Sequence, residues 1–297
     1  MAKLKGAKPE TKEKRLKLLL FGPAGSGKTV AAIQFPNAYI IDTEKGTDNY
    51  AKSINDAGSV VYQTCNPDEI HDEIQTLLTV PHDYRTLVID PITMVYNACQ
   101  EKWNMIFAKH TKNAADKEIA DFGMRYWGKV KSNFKAIQRL ILQLDMNVII
   151  TAHQKDVYGG NFSKIGVSFD SMKGDDYFFD LIFRLQKNID NSRTAYTLKE
   201  RDEVGCSKFP EKFLWSYENF LTAYGKDIIE RKAETTAMAK PEDVERVELI
   251  LKSLVVDDTQ INKWFSKANV ESFAEMTDTQ IKGCLKLLEK KVKEVNK

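Results

Sequence analysis

The sequence predicts an α/β fold in which helices flank a mainly parallel central sheet, with a small helical unit at the carboxyl end. Three observations predict it. Short, continuous apolar and β-branched runs recur at residues 16–21, 38–42, 86–90 and 147–152, as suits strands buried on both faces. Helix-compatible segments separate these runs, which is the alternation of βαβ units. A Gly-rich turn joins the first run to the first helix-compatible stretch.

Taken in order, residues 1–15 are basic and without periodicity, and read as a mobile tail. The run at 16–21 opens the core, and Pro36 stops the helix after the Gly-rich turn. Ala38–Asp42 and Thr86–Asp90 form the second and third strands. Val130, Phe134, Ile137, Ile141 and Leu144 share one helical face just before the fourth, at 147–152. Residues 181–185 and 196–199 read as further strands near a sheet edge, closing a core of 16–231. A polar, Ala-rich linker at 232–240 leads to a three-helix unit at 241–297. Its last helix starts at Thr277, with Gln280 three residues on as a capping box.

Composition narrows the partners. With 44 Lys and Arg against 42 Asp and Glu, the net charge of +2 does not announce nucleic-acid binding, so such a surface must come from local clustering. The four cysteines form no C-x-x-C pair, which favours a reduced cytosolic protein without structural zinc. The Lys-rich start lacks a signal-peptide apolar region, and no run approaches the roughly 20 apolar residues of a membrane span. A cytoplasmic protein with no membrane partner is expected.

The motif with most chemical content is Gly22-Pro23-Ala24-Gly25-Ser26-Gly27-Lys28-Thr29, a complete G-x-x-x-x-G-K-T between a strand and the helix that Val30 continues. Its glycines let backbone N–H groups turn toward phosphate oxygens, and the helix behind presents its positive end. Lys28 would reach the β- and γ-phosphates of ATP, and Thr29 would ligate Mg²⁺. Asp90, closing the Thr-Leu-Val-Ile-Asp strand, suits the acidic partner of that cation. The next residue is Pro91, so the base that activates water has to lie elsewhere. Glu44, just beyond the second strand, is the best candidate, because ligands gather at the carboxyl ends of such strands. As a bare residue it reads equally well as surface charge.

Resemblance separates those readings. Ile41-Asp-Thr-Glu-Lys resembles the segment carrying the catalytic glutamate of RecA-type recombinases, and Ile149-Ile-Thr-Ala-His-Gln154 resembles their strand ending in a γ-phosphate-sensing glutamine. The likeness runs in motif order from about residue 16 to 186. It extends to phage-type AAA-like ATPases, and most to the single-strand annealing proteins of the Sak group. It implies a RecA-like P-loop ATPase, with Glu44 as the water-activating base and Gln154 as the sensor. His153 stands where the family has Asn, and reads as an ordinary strand-end histidine. Lys199-Glu-Arg201 resembles the Lys-x-Arg element that some RecA-fold assemblies insert into a neighbour's ATP site, implying a homo-oligomeric ring or filament whose hydrolysis depends on assembly.

The same family binds single-stranded DNA through loops after the Asp90-type and glutamine strands. Here the first corresponding stretch, 109–131, holds Arg125, Tyr126 and Trp127 among lysines. The second, 155–173, holds Lys155, Tyr158, Phe162, Lys164 and Lys173. Interleaved cations and aromatics suit a single strand, which needs phosphate neutralisation and stacking platforms. Trp127 with Tyr126 also reads as the buried start of a helix, so the second stretch is the stronger. The implied function is ATP-dependent, single-strand-binding recombination, by annealing or strand exchange. A single-strand-binding protein is a further partner left open. A helicase-type motor or loader and a nucleotide-gated scaffold are the alternatives, and a phage-encoded chain would act in a bacterial host's cytoplasm.

Overall fold

The computed structural model describes residues 14–112, 116–160, 163–201, 208–235, 237–254, 258–268 and 270–295. Residues 1–13 of the predicted tail, and Phe162, lie outside the described residues.

The chain enters through β1 (Lys17–Gly22), turns into the one-turn helix α1 (Lys28–Ala32), and continues through β2 (Ala38–Asp42), α2 (Ala51–Asp56) and β3 (Val60–Gln63). Next come α3 (Pro67–Thr79), β4 (Thr86–Asp90), α4 (Ile92–Thr111) and the long α5 (Asp116–Gln143). A hairpin of β5 (Asn147–Tyr158) and β6 (Lys164–Phe169) is followed by β7 (Leu181–Lys187), β8 (Arg193–Glu200), β9 (Lys212–Leu214), α6 (Tyr217–Tyr224) and α7 (Lys226–Glu230). The carboxyl end holds α8 (Pro241–Ser253), α9 (Asp258–Ala268) and α10 (Asp278–Val295).

The strands lie in the order β3-β2-β4-β5-β1-β7-β8-β9, with β6 paired to β5 outside that row. Pairing is parallel from β3 to β7 and antiparallel from β7 to β9. This is the predicted α/β class, a P-loop NTPase fold. Alternation along each strand fills both faces, as the continuous apolar runs require. Leu19, Phe21, Ile41, Ile89 and Ile150 pack under α3, α4 and α5, while Leu18, Leu20, Ile40, Val88 and Ile149 pack under α1, α6 and α7. The helical face predicted on α5 is buried from Val130 to Leu144.

Three expectations change. Residues 181–185 belong to β7, which lies beside β1 with β8 and β9 outside it, rather than near the edge. The predicted loop at 109–131 is largely helical, the end of α4 and the first half of α5. There Tyr126 packs its ring against Trp103, Phe107 and His110, with centroids 5.8, 5.7 and 6.2 Å away. Lysines interleaved with aromatics look alike on an amphipathic helix and in a nucleic-acid loop, and here the helix wins. Arg15, assigned to the tail, is buried.

The last three helices close on their own cluster, including Val247, Phe273, Ile281 and Leu288. Thr277 and Gln280 exchange the two capping-box bonds, at 2.8 and 3.3 Å. Glu271 ties this unit to α5, accepting from Arg139 at 2.9 Å and Ser132 at 2.7 Å.

Arg15 closes the amino end of the sheet. Its guanidinium grips Asp145 with two bonds of 3.0 Å and donates to the carbonyls of Arg231 (2.8 Å) and Lys232 (2.5 Å). Partial burial pushes the Asp145 carboxyl up, but the Arg15 bonds and the charges of Arg15 and Arg231 outweigh it and hold the group below the ordinary carboxylate value. A depressed folded pKa contributes stability above the unfolded value of about 4, lost as pH falls through the folded value. Arg15→Ala should therefore cost on the order of 3 kcal/mol near neutral pH by chemical denaturation. Its stability should also fall less steeply than wild type on acidification, and Arg15→Lys should recover only part, lacking the two-pronged grip.

Candidate nucleotide site

Parallel strands deliver their carboxyl ends to one edge, and the register decides which residues meet there. Gly22 lies opposite His153, and Asp42 opposite Asp90. A cavity of about 460 Å³ opens at that edge, lined by the 22–29 loop together with Asp42, Glu44, Asp90, His153 and Gln154.

The loop has the form its glycines permit. Gly25 and Gly27 adopt φ of +72° and +91°, a left-handed conformation costly for residues with a β-carbon. Gly27 precedes Lys28, the first residue of α1, so the first turn of that helix, with Lys28 and Thr29, borders the cavity. A β-carbon on Gly27 would also run into the Arg193 side chain at the start of β8. Among the described residues, Lys28 Nζ donates to the backbone carbonyls of Gly22 and Pro23, both at 3.1 Å. Burial lowers its pKa against the pull of Asp90 and Glu44. The Ser26 hydroxyl is buried without a protein partner among the described residues. An ammonium held by two carbonyls at the cavity wall, beside the first turn of a helix whose N–H groups have no partner within the helix, fits a phosphate chain. Val30 follows in α1, half-buried.

Asp90 is buried at the end of β4 and held from two sides. Thr29 Oγ1 donates to Oδ2 at 2.6 Å, and the Thr151 hydroxyl donates to Oδ1. Burial raises the carboxyl's pKa, opposed by those two bonds and by the charge of Lys28. A buried carboxylate beside a threonine hydroxyl at the mouth of a phosphate cradle suits a divalent cation, which would supply the missing positive charge.

Glu44 stands on a loop built by Asp42. The buried Asp42 carboxylate accepts from the N–H groups of Glu44 (3.1 Å), Gly46 (3.2 Å) and Thr47 (2.9 Å), and from the Thr47 hydroxyl (2.6 Å). That cage holds Lys45 at φ +58°, a conformation costing a non-glycine residue roughly 1–2 kcal/mol. Glu44 Oε1 lies 3.0 Å from His153 Nε2. Gln154 sits beside it, its amide oxygen accepting from Arg184 Nε at 3.0 Å. Lys28, Thr29, Asp90, Glu44 and Gln154 thus converge on one cavity.

Lys199 and Arg201 do not join them. Leu18 pairs with Leu181, and Leu181 with Glu200, so both cations lie at the opposite end of the sheet. There Lys199 donates to the Asp176 carbonyl, and Arg201 pairs with Asp180 at 3.1 Å. Of the predicted DNA-contacting residues, Lys155, Tyr158 and Lys164 lie exposed on the β5–β6 hairpin, Lys173 just beyond it, and Arg125 on α5. Lys155 pairs with Asp170 at 3.1 Å and Lys164 with Asp156 at 2.8 Å. Asp42, Thr151, His153 and Arg184 were not assigned from sequence. A hydroxyl residue inside an otherwise apolar buried strand was the available signal for Thr151, and strand alternation puts His153 on the same face.

Thr151→Val would leave Asp90 with one side-chain donor, raising its pKa further at a stability cost of about 1–3 kcal/mol. Cation binding needs the ionised carboxylate. The acid limb of Mg²⁺-dependent nucleotide binding, followed by fluorescence titration against pH, should therefore move to higher pH in this variant.

No curated protein matches the chain. The family model described as AAA domain matches residues 14–205. That span holds the phosphate loop, Asp90, Glu44 and the β5–β6 hairpin and makes up well over half the chain, so the protein belongs to the AAA domain family and carries a P-loop AAA-type ATPase domain.

Proposed function

We propose that this protein is an ATP-dependent, single-stranded-DNA-binding recombination protein that works as a homo-oligomer, annealing or exchanging strands. One observation carries the reading. The strand that ends the nucleotide site at His153 and Gln154 continues without a break into an exposed hairpin bearing Lys155, Tyr158 and Lys164. A ligand on that hairpin and a nucleotide at the sheet edge touch the same rigid element.

The chain's own groups suit hydrolysis of ATP to ADP and phosphate. The α1 N–H groups and Lys28 would bind the phosphates, and Thr29 and Asp90 would hold Mg²⁺, which when bound would supply charge neutralisation to them. Glu44 orients a water and takes its proton as the water oxygen bonds to the terminal phosphorus and the bond to the ADP oxygen breaks. Gln154, on the cavity wall, is assigned the sensing of the terminal phosphate. Lys199 and Arg201, remote from their own cavity, suit the site of a neighbouring subunit, where a cation offsets transition-state charge.

On the hairpin, Tyr158 is 59% exposed, a large aromatic surface for base stacking worth roughly 1–3 kcal/mol. The exposed ion pairs of Lys155 and Lys164 are worth about 1 kcal/mol or less each, so a polyphosphate chain can displace the carboxylates.

Steady-state ATPase should rise with protein concentration and with an oligodeoxythymidylate, and Lys199→Ala with Arg201→Ala should abolish the concentration dependence. Lys155→Ala with Lys164→Ala should lower the salt slope of single-strand binding by about 2, and Tyr158→Ala should weaken binding at every salt. Turnover indifferent to both protein concentration and DNA would refute the reading.

A further inference from the structure

The imidazole of His153 faces the cavity. Strand alternation from Thr151, which bonds Asp90, directs it there, and its Nε2 lies 3.0 Å from Glu44 Oε1. One imidazole nitrogen thus stands at ion-pair distance from one carboxylate oxygen. The backbone of His153 is itself pinned. Its N–H donates to Thr93 Oγ1 at 3.0 Å, the Thr93 hydroxyl donates to the Asp170 carbonyl at 2.7 Å, and the Asp170 N–H returns to the His153 carbonyl at 2.8 Å. Glu44, by contrast, is an exposed side chain on a loop. Its backbone is fixed by Asp42, but the structure gives its carboxylate no other partner among the described residues.

We propose that His153 is a positioning residue for hydrolysis. It holds one carboxylate oxygen of Glu44 and leaves the other to face the attacking water. This inference rests on the reading of Glu44 as the base. A side chain free to rotate about its three torsions spends most of its time misdirected, and a displacement near 1 Å can cost up to about 100-fold in rate. The effect falls on kcat and leaves nucleotide affinity alone, because the His153 imidazole pairs with Glu44 and not with Lys28, Thr29 or Asp90.

The test is a double-mutant cycle on the full-length protein, measuring steady-state kcat and KM together with equilibrium binding of a fluorescent ATP analogue. His153→Ala should lower kcat by about 10- to 100-fold with analogue affinity unchanged. His153→Gln, whose amide N–H reaches the same carboxylate, should recover most of the loss. In a Glu44→Gln background His153→Ala should have no further effect. Three results overturn the proposal while sparing the base: additive losses in the double variant, an unchanged or raised kcat in His153→Ala, or lost analogue binding. Wild-type turnover in Glu44→Gln would remove Glu44 as the base and the proposal with it.

Discussion

A carboxylate buried at the end of a parallel strand has to be surrounded by donors, and here those donors tie the site together. Asp90 takes one hydroxyl from Thr29 on α1 and another from Thr151 on β5. The same residue therefore joins the phosphate cradle, the Asp90 strand and the strand that leads to the hairpin. Burial raises its pKa, and the two hydroxyls and the charge of Lys28 offset that rise only in part. Much of the rest of the fold can be understood as holding these three elements at that spacing.

The sheet does the holding. Both faces are filled by apolar layers, so the strands cannot slide without exposing a row of side chains. Register then carries chemistry. Because Asp42 pairs with Asp90, the loop caged by Asp42 begins level with the buried Asp90 carboxylate, and Glu44 emerges two residues on. Because Gly22 pairs with His153, the last residues of β5 flank the start of the cradle. At the far edge the antiparallel β8 returns the chain, leaving Arg193 behind the cradle and Lys199 with Arg201 at the other end of the sheet. One strand thus presents cations to two different surfaces.

Local patterns were legible where one physical effect dominated. The four apolar runs, the glycines and Lys28 of the cradle, and the capping box at Thr277 each follow from a rule acting over a few residues. Segments in which two effects compete were not. Aromatics among lysines at 109–131 satisfied the requirements of a DNA loop and of an amphipathic helix alike, and packing of Tyr126 against α4 settled the matter. Nor did β3, β6 or β9 stand out. Each lies outside the buried centre of the sheet, where an apolar run is not required.

The sequence by itself determined the class of fold and the Gly-rich loop with Lys28, and marked Asp90 at the end of its strand, because these depend on residue types at fixed local spacing. Only the tertiary structure decided that Thr151 shares Asp90, that the His153 imidazole lies beside Glu44, and that Lys199 and Arg201 sit remote from their own cavity. Those facts depend on strand order and register. Both are set by the simultaneous burial of two apolar faces across residues more than a hundred positions apart, and no local window contains them.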